Sequence, residues 1–483
     1  MSQVNPTIFR NYDIRGRVPE ELDPDAAYQV GLNFGDLVSN TEKRVAVGRD
    51  NRLAINPGTP GSVELSAALI DGLLDSGCSV YDRGEVPTPV VYFSVLDQGP
   101  DAGIMVTGSH NPLHYNGIKI CTHDRRANRI VAFETSPIKE RCLAPNQTKK
   151  LLKKGTIHSY GEEYHSSILD KYAGAIQAKL GFPGRPVRVC VDPGNAVGGV
   201  IAPRLLKDLG YQVDLINGEL DGHFPDHVPN PEQVKNLKSL GDRVRSLKAE
   251  LGVAYDGDAD RVGIVGADGE KIGADILLLL LSRALLQKNP GAKVVFDGLC
   301  TEALVEDIKR NGGIPLRSQT GYTSISKRMF AEGALLAGEI SGHIFFRDLG
   351  FGGYDDGILA SCRFLDLVSR SEMPLAEVLQ GIDRWSVMEQ KRPPCPEAMK
   401  KQVVAQAKEA FLSTGAEIEE VDGLWIYYKK NGEVSGRIVI RAASTEDSLS
   451  IMCEARDGDD RKKLETLIDA TLAKIMGPLW TGL

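Results

Sequence analysis

Thr107-Gly108-Ser109-His110-Asn111-Pro112 places a small hydroxyl nucleophile in a turn-forming run, beside a histidine that could carry charge. Gly108 permits positive φ and close backbone approach, and Pro112 stops any helix beginning here, so the sequence predicts Ser109 on a loop with its hydroxyl presented. An ordinary turn is the competing reading of this run taken alone. A second cluster, Asp256-Gly257-Asp258-Ala259-Asp260-Arg261, follows the apolar stretch Leu251-Gly252-Val253-Ala254-Tyr255. A strand running into a loop splays alternate side chains toward one point, and small spacers let three carboxylates converge on a hard divalent cation. No glutamate stands at the twelfth position of an EF-hand loop, so Mg²⁺ is expected rather than Ca²⁺. A solvated acidic turn fits less well, because three carboxylates beside an apolar strand repel one another without a cation.

These loops need strands behind them, and the chain supplies alternating strand and helix signals. A strand is predicted at 44–48, a helix at 62–74, a strand at 187–192 before the turn Pro193-Gly194-Asn195, a helix at 274–286 and a strand at 293–296. The expected fold is therefore α/β. The basic stretch at 149–154 marks the first boundary, the end of the acidic loop the second, and Pro393-Pro394-Cys395-Pro396 a linker. Beyond it, strands at 423–428 and 436–440 and a helix at 459–475 predict a smaller α+β unit. The expected domains are 1–153 with the serine loop, 154–265 with the acidic loop, 266–380, and 390–483. A length of 483 residues accommodates about three to four domains.

A net charge of −8 argues against a nucleic-acid or anionic-membrane surface, so any cations at an anion site must be local. The longest apolar run, 276–281, is too short to span a bilayer, and no amino-terminal signal pattern is visible, which makes the cytoplasm the default. Eight dispersed cysteines without a Cys-x-x-Cys pair predict reduced, buried thiols. His110/His114 and His223/His227 have helical metal spacing, but Pro112 and Pro225 fall inside those spans and make both poor metal candidates.

The serine and aspartate motifs, in this order, resemble those of the α-D-phosphohexomutase family. The resemblance extends along the chain through Phe9-Arg10-Asn11-Tyr12-Asp13-Ile14-Arg15-Gly16, Gly48-Arg49-Asp50, Asn116-Gly117-Ile118-Lys119, Pro229-Asn230-Pro231, Gly338-Glu339-Ile340-Ser341-Gly342-His343 and Arg441-Ala442-Ala443-Ser444-Thr445-Glu446. It implies three related α/β domains and a fourth, smaller one around a central cleft. It implies a reversible mutase interconverting hexose 1- and 6-phosphates, glucose or mannose, with a phosphoserine carrier, a hexose 1,6-bisphosphate intermediate and activator, and Mg²⁺. On that model Ser109 carries the phosphoryl group and, with Asp256, Asp258 and Asp260, holds the metal. Arg15, His110, Lys119 and Arg261 surround the phosphoserine, with Arg261 alternatively supporting the metal loop. Tyr12 contacts substrate, and Glu339 and Ser341 grip adjacent ring hydroxyls. His343 is the expected general acid or base, and Arg441, Ser444 and Thr445 take the non-transferring phosphate. The expected partners are small sugar phosphates only, with the protein a monomer or weak homo-oligomer.

Many family members carry a lysine where this chain has Leu299 and a histidine where it has Tyr322. Ala443, Ser444 and Asp447 replace the usual serine, asparagine and proline of the last loop. These departures keep open a phosphoglucosamine-type mutase or an enzyme making or hydrolysing a hexose bisphosphate. A sugar-phosphate-binding protein without turnover is the alternative outside enzymes.

Overall fold

The computed structural model describes the chain apart from residues 1–3, 39–41, 54–55, 57, 145–153, 159–161, 444–446, 481 and 483, and the side chains of 162–166. The basic stretch expected as the first boundary therefore lies almost wholly outside the described residues. Four sheets follow one another along the chain.

The first has seven strands, with Arg44–Arg49 parallel to both Ser79–Glu85 and Ala102–Val106, and Tyr115–Asp124 antiparallel between Ala102–Val106 and Asp13–Arg17. The second runs Lys271–Ile272, Val262–Gly266, Leu251–Tyr255, Arg188–Asp192, Gln212–Leu215, its last three strands parallel. The third places Lys293–Asp297 between the parallel strands Ile314–Ser318 and Leu336–Gly338. Ala102–Val106 and Leu251–Tyr255 are buried at every residue, as strands covered by helices on both faces must be. One hydrophobic core runs through all three units, taking in Val91, Tyr172, Leu278 and Phe296, so the loops at their strand ends are held in fixed relation.

The fourth sheet is antiparallel, five strands from Ser386–Val387 to Leu449–Ala455 in pairing order 386–387, 449–455, 433–442, 424–430, 417–420. Helices Glu397–Leu412 and Gly458–Met476 cover one face, building a separate core with Ile438, Ile440 and Ile451.

The expected elements form close to their predicted bounds, including helices Ser62–Asp75 and Ala274–Lys288 and strands Leu424–Lys430 and Glu433–Ala442. The Pro393–Pro396 segment differs from a free linker. It lies along the sheet, with Leu449 N donating to Pro393 O at 3.0 Å and Cys395 N to Asp447 O at 2.8 Å. Prolines lack a ladder donor and so suit such an edge. Sheets also reach past the expected boundaries, since Ile157–His158 pairs into the first and Lys271–Ile272 into the second; composition marks exposed connections, not the sheet edge to which a chain returns. All eight cysteines are free, seven of them buried. No described helix is long and apolar enough to cross a membrane.

One buried cap carries a pH signature. Asp356 starts helix Gly357–Arg370 by accepting Leu359 N at 2.8 Å, and both its oxygens accept the Tyr172 hydroxyl at 2.8 Å. Burial raises its pKa to about 7, against these hydrogen bonds. The unfolded carboxyl ionises near 3.9, so between about pH 4 and 7 the folded chain keeps a proton that the unfolded chain has lost. Stability from this group is full below that window and declines as pH rises through it. Asp356→Asn should flatten that decline in melting temperature between pH 4.5 and 8; an unchanged slope counts against the assignment.

Candidate active site

Ser109 stands just beyond the buried strand Ala102–Val106 with φ 49°, and it is this serine, not Gly108, that takes the left-handed conformation. Gly108 serves close approach, since a Cβ there would meet the Arg52 guanidinium. Asp50 and Arg52 build the cradle. Asp50 Oδ2 accepts Thr107 Oγ1 at 2.7 Å and Gly108 N at 3.0 Å, while Arg52 donates to the carbonyls of Ser109, Asn111 and Pro112 at 2.8–3.1 Å. Arg15 Nη1 adds a bond to Thr107 O at 3.0 Å, its other nitrogens held by Asp13. A loop whose carbonyls and amides are saturated in this way holds its hydroxyl in one place.

That hydroxyl donates to Asp256 Oδ2 at 2.7 Å. The acidic loop leaves strand Leu251–Tyr255 and approaches so closely that a Cβ on Gly257 would stand 2.5 Å from Ser109 O. Asp256, Asp258 and Asp260 are at most 1% exposed, and their oxygens lie within 4.8 Å of one another. Asp258 Oδ2 accepts Thr88 Oγ1 and Lys119 Nζ, each at 2.6 Å, and Lys119 also bonds Asp260. Asp258 Oδ1 and Asp260 Oδ1 have no hydrogen-bond partner among the described residues. Unsatisfied hard oxygens converging in one buried cluster fit a divalent cation.

Charge states here are set by distant neighbours. Burial, then Asp260 and Asp258, hold Asp256 well above the ordinary carboxylate range. Asp260 is as deeply buried, but Lys119, His343 and Arg261 hold it below that range. Burial alone would strip Lys119 of its proton, yet Asp258, Asp260 and Asp256 outweigh it and keep the ammonium charged. His110 Nδ1 lies 3.2 Å from Ser109 Oγ. Arg261, then burial, Arg15 and Lys119 push its pKa well below the usual histidine range. The charge that His110 could carry on its sequence position is therefore disfavoured in this surrounding. Lys119, expected around the phosphoserine, bonds Asp258 and Asp260 of the carboxylate cluster that adjoins Ser109.

Arg261 links three loops. Its amide donates to Asp256 Oδ1 at 3.2 Å, its Nε to His343 Nε2 at 2.9 Å, and its Nη1 lies 3.6 Å from Glu232. His343 Nδ1 lies 2.8 Å from Asp355 Oδ2. Burial lowers the ring's pKa, but Asp260 and Asp355 raise it to about 9 against Arg261. A doubly protonated ring would turn an N–H against Arg261, so the 2.9 Å bond leaves one proton, on Nδ1 facing Asp355. Nε2 is taken by Arg261, while Nδ1 lies close to Asp355 without an aligned hydrogen bond.

The third unit presents Glu339 just past strand Leu336–Gly338, with Oε1 accepting Gly321 N at 2.6 Å and Oε2 accepting Ser341 Oγ at 3.4 Å. Tyr322 begins the next helix, and its hydroxyl reaches Tyr12 O at 3.4 Å in the first unit; the Tyr12 hydroxyl bonds Glu134 at 3.3 Å. Leu299 does not face this site but packs on Trp425, Tyr427 and Val439 of the fourth unit. Arg441 Nη1 donates to Asp422 Oδ2 at 3.0 Å, and the same oxygen accepts Thr320 N at 3.1 Å, closing the fourth unit onto the third. Asp447 is exposed, while Ser444 and Thr445 lie outside the described residues. His114, His223 and His227 belong to neither metal-capable cluster among the described residues; His227 instead pairs with Asp192 at 3.0 Å.

Sequence reasoning did not assign Arg52, Thr88, Asp355 or Asp422. Asp50 lay in a noted Gly-Arg-Asp run, but nothing local marks the others, whose partners are remote in the chain.

Loops at the ends of central strands, bringing a buried serine against a cation-binding carboxylate set, suit an enzyme that moves a phosphoryl group. Family models agree with this layout: residues 6–131, 162–269 and 273–385 match phosphoglucomutase/phosphomannomutase alpha/beta/alpha domains I, II and III. The chain is 36% identical over 471 residues to a phosphomannomutase/phosphoglucomutase of Pseudomonas syringae, covering 97% of this chain and 96% of that protein. It is 36% identical over 460 residues to a phosphoglucomutase of Neisseria gonorrhoeae, covering 94% of each. A crystal structure of a phosphoglucomutase/phosphomannomutase family protein from Burkholderia thailandensis superposes with TM-score 0.86 at 31% identity, over 98% of this chain and 99% of that one. This chain belongs to the phosphoglucomutase/phosphomannomutase family, the α-D-phosphohexomutases.

Proposed function

We propose that the protein is a reversible hexose-phosphate mutase that carries its phosphoryl group on Ser109 and accepts both glucose and mannose phosphates. The 2.7 Å bond from Ser109 Oγ to Asp256 Oδ2 carries this reading, because it puts the serine hydroxyl of this loop at the carboxylate cluster. Phosphoserine 109 gives its phosphoryl group to the free hydroxyl of a hexose 1- or 6-phosphate, forming the 1,6-bisphosphate and regenerating the Ser109 hydroxyl. After the bisphosphate turns end for end, its other phosphoryl group passes to Ser109 Oγ, and the serine proton ends on the sugar oxygen that is released. Asp256, Asp258 and Asp260 would hold Mg²⁺, which when bound neutralises charge on the transferring group. Arg15 and Arg261 bring guanidinium charge to the same loops, and His110 offers a hydrogen-bonding partner at the serine. We assign it small sugar phosphates as substrates and the cytoplasm as its compartment, with four units divided after the strands Ile157–His158 and Lys271–Ile272 and before the strand Ser386–Val387.

Glu339 and Ser341 would take adjacent ring hydroxyls, and a grip on O3 and O4 survives the end-for-end turn because those positions exchange. Glucose and mannose differ at C2, outside this grip, and the names of several relatives carry both activities. Glu339→Ala should lower kcat/KM for glucose 1-phosphate and mannose 1-phosphate alike, by roughly tenfold to a hundredfold, the cost of losing a charged acceptor. Tyr322, beside the Gly321 amide that Glu339 binds, favours the second reading, an amino-sugar mutase. Comparing kcat/KM for glucose, mannose, glucosamine and N-acetylglucosamine phosphates decides between them: a strong preference for either amino sugar defeats the glucose–mannose assignment.

A further inference from the structure

The turn Asp297–Thr301, at the end of the central strand of the third unit, is fastened from the fourth. Register pairing sets Phe296 beside Gly338, so Asp297 and Glu339 are the next residues on neighbouring strand ends. Within the turn, Asp297 Oδ1 accepts Leu299 N and Cys300 N at 3.1 Å. The carbonyls point the other way, into Arg437. Its Nη1 donates to Gly298 O at 3.1 Å and its Nη2 to Cys300 O at 2.8 Å, with Glu454 Oε1 2.7 Å away. Glu454 in turn accepts Thr301 Oγ1 at 2.7 Å and Glu302 N at 3.0 Å, capping helix Glu302–Arg310 from another unit. Arg437 and Glu454 are both 0% exposed.

Such a pair is a poor source of stability, because desolvating two charges offsets most of their attraction. Its value lies in geometry: a guanidinium fork addresses two carbonyls and a carboxylate at once, which an ammonium cannot do. Residues 437, 439 and 441 share one face of their strand. Val439 packs with Trp425 in the cluster that receives Leu299, a Cβ on Gly298 would run into Trp425, and Arg441 reaches Asp422, which binds Thr320 N. One sheet face of the fourth unit therefore grips both turns, 297–301 and 320–321, that flank Glu339.

Resting on the hexose-phosphate reading above, we propose that Arg437, with Glu454, is a positioning residue for the sugar subsite. It sets the turn beside Glu339 so that the third and fourth units receive the hexose phosphate as one pre-assembled clamp. Arg437 touches neither Ser109 nor the aspartates, so its effect falls on substrate capture rather than on phosphoryl transfer.

Arg437→Lys keeps the charge pair but cannot serve both carbonyls. Arg437→Met combined with Glu454→Leu removes both buried charges together, which spares the fold an unpaired one. With glucose 1-phosphate and saturating glucose 1,6-bisphosphate, both variants should show KM raised about tenfold and kcat within about threefold of wild type. The amides of Leu299 and Cys300 should exchange faster with deuterium. A KM unchanged in both variants, or a loss confined to kcat, overturns the proposal. Wild-type protein without turnover on any hexose phosphate defeats the mutase reading instead, and slow exchange at 299–300 in both variants defeats the positioning role whatever the substrate.

Discussion

Ser109→Ala is expected to abolish turnover, by about four orders of magnitude or more, because covalent transfer loses its carrier and the other hydroxyl at the cluster, that of Thr88, is fully buried in its bond to Asp258. The fold should survive. The side chain contributes one hydrogen bond to Asp256 and one contact to His110, whereas the loop is held by Asp50 and Arg52 acting on the Gly108 amide, the Ser109 carbonyl and the Thr107 hydroxyl, all of which the alanine variant retains. The melting temperature should fall by the equivalent of about 1 kcal/mol, one net hydrogen bond. Intact mass of active wild type should show a species heavier by one phosphoryl group, absent from Ser109→Ala. Equal turnover by the two proteins would sink the phosphoserine mechanism.

Asp258→Asn should cost at least a hundredfold in kcat/KM, and chelation of divalent ions should silence the wild-type enzyme. Removing one of three charges weakens the hold on a hard cation, and each 1.4 kcal/mol of lost transition-state stabilisation is about tenfold in rate. Asp258 Oδ1 has no hydrogen-bond partner among the described residues, while Oδ2 anchors Thr88 and Lys119. The asparagine can keep an oxygen toward Lys119, which retains Asp260, so stability should change far less than activity. Titrating Mg²⁺ into chelated protein, with turnover and melting temperature as readouts, checks this. A rate indifferent to chelation rules out the metal assignment.

Local chemistry made much of this protein legible from its sequence. Helices Ser62–Asp75 and Ala274–Lys288 and the strands at 44–49 and 293–297 form where apolar periodicity predicts them, because burial of one face or of a whole strand leaves a periodic mark in neighbouring residues. Ser109 and the Asp256, Asp258, Asp260 series were recognisable for a related reason: each group sits on one loop with small spacers, so its capacity shows in residues adjacent in the chain.

What sequence could not supply depends on partners distant along it. The cradle of Asp50 and Arg52, the Thr88 hydroxyl on Asp258 and the Asp422 bridge between Arg441 and Thr320 are made only when separate loops meet. Charge states were equally hidden. Arg261, burial, Arg15 and Lys119 together push the His110 pKa well below the usual histidine range, and Arg261 takes Nε2 of His343 while Asp355 lies beside its Nδ1. Leu299 faces the fourth unit rather than the sugar loop because Trp425 and Val439 offer it an apolar seat. The α/β class, the loop serine and the carboxylate set were legible before the chain was folded, since those follow from residue type and short spacing. Tertiary structure alone decided which side chains are charged, which are satisfied and which unit grips which turn, since those energies fall off over a few ångströms in space and take no account of distance along the chain.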